Sequence, residues 1–150
     1  MKNQKNERGI TLVALVVTIV VLLILAGITI MYVMSDNGVF GKAQQAKTDT
    51  NKGVVTEAVS VTLGDLYAEI YAPTAGKTLT DVFKADLPSV MKIVKTDGTE
   101  DTEFAITPVT TADDLAFSCY IQYEPDGLIY KVDYSKTAGL TVGAGAKPTT

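Results

Sequence analysis

The chain has 150 residues, 17 acidic against 13 basic side chains, no histidine and a single cysteine, Cys119. That composition leaves no histidine base, no zinc cluster and no intramolecular disulfide available. A formal charge of −4 gives no direct sign of nucleic-acid binding, which rests on clustered basic side chains.

The chain opens on a short charged leader containing Lys2, Lys5, Glu7 and Arg8 and closing on Gly9. From Ile10 to Met34 there follow 25 residues with no charged side chain. At about 1.5 Å per residue such a helix is roughly 37 Å long, enough to cross a hydrocarbon core of about 30 Å with tilt. The stretch therefore predicts a membrane span. It is rich in Val, Ile and Leu, and the β-branched members would favour strands in water. In lipid that preference loses, because a lone strand leaves its backbone groups unpaired. Thr11, Thr18 and Thr29 are expected to bond back to carbonyls one turn earlier, and Gly27 is the weak point of the span. The run exceeds the apolar region of a secretory signal peptide, about 7 to 15 residues, and Leu25-Ala26-Gly27 is followed by Ile28 and not by a lipid-bearing cysteine.

Lys5-Asn6-Glu7-Arg8-Gly9-Ile10-Thr11-Leu12-Val13-Ala14-Leu15 resembles the prepilin-peptidase site of type IV pilins and pseudopilins. The resemblance implies cleavage by a membrane aspartyl protease after Gly9 and N-methylation of Ile10 as the first mature residue. It makes Ile10, Thr11, Leu12, Val13, Ala14 and Leu15 the start of a filament-core helix. A small residue before the cut lets a protease approach the backbone, and Lys2, Lys5 and Arg8 hold the leader on the cytoplasmic side. The implied partners are the prepilin peptidase, the pilus assembly machinery, copies of this chain or other pilins, and membrane lipid before assembly. The implied location is the cell membrane, single-pass with the carboxy-terminal domain outside, and then a surface filament serving adhesion, motility, secretion or DNA uptake. One position departs from the family pattern: the fifth mature residue is typically glutamate and here is Ala14, as in many pilin-like proteins of Gram-positive type. A carboxylate in lipid is expensive, so Ala14 improves the span while removing a pairing partner for a neighbour's terminal amine.

The resemblance implies an α+β, pilin-like fold: a long amino-terminal helix, membrane-spanning in its first half, packed by its second half against a small antiparallel sheet. The expected organisation is a cleaved leader over residues 1–9, a span or filament-core helix over 10–34, and one extracytoplasmic domain over 35–150. Without the leader the charges number 10 basic and 16 acidic, a net of −6.

Past the span, Ser35-Asp36-Asn37-Gly38 clusters turn formers and helix caps and predicts a break or kink. A helix is expected over about 40–71. Val55, Val59, Leu63, Leu66 and Ile70 recur at helical spacing and form its core stripe, while Ala43, Ala46, Val54, Ala58 and Val61 make a thinner second stripe. The polar segment over residues 41–53 reads as the exposed connection, with the firm amphipathic part running from about Thr50 to Tyr71. Residues 72–78 read as a loop, and Asp81 to Ala85 as a short turn of helix. Val90 to Val94 and Glu103 to Thr107 are strand candidates separated by the turn Thr96-Asp97-Gly98-Thr99. Next comes a hairpin. Leu115, Phe117, Cys119, Ile121 and Tyr123 alternate on one strand, Leu128, Tyr130, Val132 and Tyr134 on the other, around Glu124-Pro125-Asp126-Gly127. The odd face of the first strand and the even face of the second should cover the helix stripe. Cys119 reads as a small buried apolar residue, and the tyrosines as packing groups. Residues 138–150, small and rich in Gly and Thr, are expected to fray or form a loose edge.

Chemical motifs are thin. Gly76-Lys77-Thr78 matches the end of a phosphate-binding loop, but Tyr71 stands where that motif needs its first glycine. Asp97 to Glu103 is acidic yet lacks the ligand spacing of a calcium loop, and Asp113-Asp114 neighbours would point apart on a strand. No cofactor, no metal and no catalytic residue is expected. The leading reading is a structural subunit of a type IV pilus-like filament. The rival is an unprocessed, single-pass, membrane-anchored surface domain for binding or adhesion, and an anchored hydrolase using Asp113 or Asp114 ranks last.

Overall fold

The computed structural model describes residues 7–35 and 38–149, with side chains from residue 12 onward. The chain forms two compact units, Met1–Ala46 and Lys47–Thr150.

The first unit is built on helix α1, Glu7–Met34. Its hydroxyls behave as the sequence requires: Thr18 Oγ1 donates to the Leu15 carbonyl at 2.8 Å and Thr29 Oγ1 to the Leu25 carbonyl at 2.7 Å. The Thr11 side chain lies outside the described residues. At the carboxy-terminal end Ser35 Oγ donates to the Tyr32 carbonyl at 2.9 Å, and the Gly38 amide to the Ser35 carbonyl at 2.7 Å. Gly38 sits so close to the last turn that a Cβ there would lie 2.2 Å from the Tyr32 carbonyl oxygen. Only glycine fits that approach. Helix α2, Val39–Tyr71, begins directly after it. Of the expected break, Asp36 and Asn37 lie outside the described residues, whereas Ser35 and Gly38 are non-helical.

The second unit packs residues 47–71 of α2, together with α3 (Leu79–Asp86), on a four-stranded antiparallel sheet. The strands are β1 (Met91–Val94), β2 (Ala116–Tyr123), β3 (Leu128–Ser135) and β4 (Gly139–Val142), in spatial order β1-β2-β3-β4. This is the expected α+β arrangement. The core stripe of α2 is as spaced in the sequence: Val55, Val59, Leu63 and Leu66 are buried and Ile70 is half-buried. Thr62 joins them, its hydroxyl satisfied by the Ala58 carbonyl at 3.0 Å. Of the second stripe, Ala43, Ala46, Val54 and Val61 are exposed and only Ala58 is half-buried. The polar 41–53 segment is helical throughout, as its Ala, Gln and Lys content allows.

Helix α3 extends the expected turn in both directions. Thr78 and Asp81 form a reciprocal capping box, and Val82 and Phe83 are buried. The capping bonds from Thr78 hold the Asp81 carboxyl below its usual range.

The hairpin is in the expected register, pairing Phe117 with Tyr134, Cys119 with Val132 and Ile121 with Tyr130. Gly127 supplies the positive φ of its turn, +68°. The core that results is partly aromatic: the Phe83 and Phe117 rings lie 4.9 Å apart, and Phe117 and Tyr134 5.8 Å.

Three expectations are corrected. Glu103 to Thr107 form no strand. The turn after β1 pairs back only as far as the Val94–Glu100 bridge, after which Asp101 Oδ1 accepts the amides of Glu103 and Phe104 at 3.0 and 3.1 Å. The Ile106 amide donates to Thr80 Oγ1 at 2.8 Å, so side chains satisfy backbone groups that a ladder would have used. Asp113 and Asp114 lie on a 3-10 turn, Ala112–Asp114, and not on a strand. Residues 139–142 are not frayed: Gly139, at φ +72°, makes the turn that lets β4 pair with β3 from Val132 to Ser135.

Candidate functional site

Gly9, Ile10, Thr11, Leu12, Val13, Ala14 and Leu15 lie together on the first turns of α1, with helical backbone. The side chains of Ile10 and Thr11 are outside the described residues. Those of Leu12, Val13 and Leu15 are each more than 60 % exposed, and Ala14 is exposed between them. The pattern continues along the helix: from Leu12 to Tyr32 every side chain is exposed, on all faces.

A helix that is apolar all round has no water-facing side and requires an apolar environment on every side. By length and composition α1 qualifies to cross a membrane. Because Thr18 and Thr29 bond back into the helix, their hydroxyls add no unmet hydrogen bonds to that surface. Lipid tails and neighbouring apolar helices are equally acceptable surroundings. Gly9 is the least helix-favouring residue of this region, by about 1 kcal/mol relative to alanine, so the backbone opens there more readily than at its neighbours.

The other sequence motifs build local structure. Gly76, at φ +85°, turns the loop that delivers Thr78 to its capping position. Asp97 Oδ1 accepts from Thr99 Oγ1 at 2.6 Å and from its amide at 2.9 Å, and those bonds hold the Asp97 carboxyl below its usual range. Asp114 Oδ2 accepts from Thr111 Oγ1 at 2.7 Å, and Asp113 pairs with Lys136. Among the described residues no group of three His, Cys, Asp or Glu side chains is placed to hold a metal ion. Cys119 is buried, and desolvation pushes its thiol up to about 12, so no thiolate nucleophile is present near neutrality.

One side chain with a wider role than its sequence position suggested is Asp126. Its Oδ2 accepts from the Tyr130 hydroxyl at 2.5 Å and from Asn51 Nδ2 at 2.9 Å, while Oδ1 accepts the Leu128 amide at 2.9 Å. It ties the hairpin turn to α2. An aspartate one residue before the turn glycine is the only sequence sign of this, and its reach to Asn51 is a tertiary contact that no local pattern encodes.

Residues 4–30 match the model of a family described as the prokaryotic N-terminal methylation motif. No curated protein and no solved structure matches the chain. The match takes in the end of the leader, the Gly9–Ile10 junction and most of α1, the same residues that form the exposed apolar helix. The amino-terminal segment of this chain is a prepilin-type signal, of the kind that type IV pilins and pseudopilins carry.

Proposed function

We propose that this protein is a structural subunit of a type IV pilus-like filament, inserted with its basic leader in the cytoplasm and its domain outside. Prepilin peptidase cuts after Gly9, Ile10 becomes the N-methylated amino terminus, and α1 anchors the subunit until the assembly machinery withdraws it. The observation that carries this reading is the matched motif at residues 4–30, fused to a helix whose described side chains are apolar and exposed on every face.

Assembly then exchanges lipid contacts of α1 for contacts with the helices of other subunits. Tails and Leu, Ile or Val side chains are equally apolar, so the exchange is nearly neutral and a motor must supply direction. Ala14 contributes no carboxylate to that core, so subunit register comes from side-chain packing and not from an ion pair with a neighbouring amino terminus.

Intact mass and amino-terminal sequencing of the protein from its own cells test the reading. A chain beginning at Ile10, heavier by one methyl group, supports it, and Gly9→Leu should then block maturation and filament incorporation. A chain still carrying its leader overturns it and leaves an unprocessed, tethered surface domain.

A further inference from the structure

Strand β4 covers only half of the outer edge of β3, the half from Val132 to Ser135. Leu128 to Lys131 would otherwise present an open strand edge, and open edges recruit other strands. The residues after β4 fill this place. Gly143 donates its amide to the Lys131 carbonyl at 2.8 Å, and Ala146 and Ile129 exchange both backbone bonds at 2.8 and 2.9 Å. The chain then crosses the sheet face turned away from α2. The Thr149 amide and hydroxyl donate to the Thr96 carbonyl at 2.9 and 3.0 Å, and Pro148 rests over Gly98. Ile129, which alternates onto this outer face, is only 5 % exposed. At Gly145 the approach is so close that a Cβ would lie 2.8 Å from Tyr130 Cζ and 2.9 Å from Leu128 Cδ1.

This strap is lightly held for what it covers. Val142, just before it, is buried, but from Gly143 to Thr149 no side chain is buried and the attachment is a few backbone bonds. Glycines at 143 and 145 give the chain a hinge after β4. Such a segment opens locally without unfolding the sheet. What fits the vacated seat is the strap sequence itself, and every copy of the chain carries one.

We propose that residues 144–149 are a detachable strap, whose seat on β3 at Leu128–Lys131 also accepts the strap of a second copy of this chain. The inference rests on the fold of the second unit and not on the filament reading, so its test is independent of leader processing.

The test is disulfide trapping between full-length chains in detergent micelles. Ile129 and Ala146 face each other as a hydrogen-bonded antiparallel pair, with Cα atoms about 5.5 Å apart, within disulfide reach. A chain carrying both Ile129→Cys and Ala146→Cys should close an internal bond, and failure to do so overturns the strap geometry. Mixing an Ile129→Cys chain with an Ala146→Cys chain should give the mixed dimer in excess of either like dimer. Deleting Ala144–Thr150 from the Ile129→Cys chain removes a competitor of roughly millimolar effective concentration, so mixed trapping at a fixed chain concentration should rise severalfold. Like dimers alone, or no gain on deletion, would overturn strap exchange. Cys119 is buried and does not compete.

Discussion

Arginine placed in the middle of α1 tests the span quantitatively. Val20, Leu22 and Leu25 lie near the centre of the charge-free stretch and all three side chains are exposed, so replacing them disturbs no packing within the chain. Sixteen Leu, Ile and Val residues between Ile10 and Met34, at about −0.3 to −0.6 kcal/mol each, favour insertion by about 5 to 10 kcal/mol. Each apolar residue replaced by Arg near the centre reverses that by about 3 to 4 kcal/mol. Leu22→Arg alone should therefore leave the protein in membranes. The triple variant, Val20→Arg with Leu22→Arg and Leu25→Arg, costs about 9 to 12 kcal/mol and should abolish insertion. The assay is the fraction of chain resisting alkaline extraction from membranes. Full retention of the triple variant would refute the claim that α1 is held by burial of its apolar surface in lipid. Loss of the single variant would show the span to be far weaker than its composition implies.

Smaller predictions concern the second unit. Leu66→Ala, at a fully buried position of the core stripe, should lower stability by about 2 to 5 kcal/mol, whereas Val61→Ala, on the exposed stripe, should change it by less than about 0.5 kcal/mol. Urea unfolding followed by circular dichroism separates the two, and equal losses would mean that α2 presents a different face to the sheet. Asp126→Ala leaves the buried Tyr130 hydroxyl without its acceptor and should destabilise by about 1 to 3 kcal/mol in the same assay. For Cys119 the thiol titrates near 9.0 when unfolded and at about 12 when folded. Below pH 9 both states keep the proton, and this group contributes no pH dependence. Between pH 9 and 12 only the unfolded chain releases it, so stability should fall as pH rises, by at most about 1.4 kcal/mol per pH unit. Cys119→Ala should remove that part of the alkaline loss, and an unchanged profile would count against burial of the thiol.

Which elements could be read in advance follows from how each is specified. The core stripe of α2 and the β2–β3 hairpin are set by periodicities of 3.6 and 2 in large apolar side chains, and both appear in the register that those patterns dictate. The types in α1 are the same Val, Ile and Leu that fill β2 and β3. What separates them is continuity against alternation, together with the backbone's need for internal partners in lipid. At Glu103 to Thr107 alternation does not decide the structure: Phe104 and Ile106 alternate and are buried as strand residues would be, yet Asp101 and Thr80 side chains take the backbone amides and no ladder forms. Nothing local in the sequence distinguishes those two outcomes. The prepilin-type motif was legible because it is contiguous, and the reach of Asp126 to Asn51 was not, because 75 residues separate the partners.

Residues 138–150 expose a second limit of pattern reading. Their glycines, alanines and threonines carry too little apolar volume to mark a strand, so composition alone points to a loose end. In the fold the small side chains are what allows the close approach: Gly145 passes the ring of Tyr130 where any Cβ would collide, and Gly139 takes a positive φ to turn the chain back on β3. A segment with no large side chain can still be specific when its partner is a strand edge, because the backbone supplies the bonds and smallness supplies the fit. Specificity of that kind is weak per residue and depends on the seat being nearby. The strap is thus both the element least predictable from sequence and the one whose attachment a neighbouring copy can most readily replace.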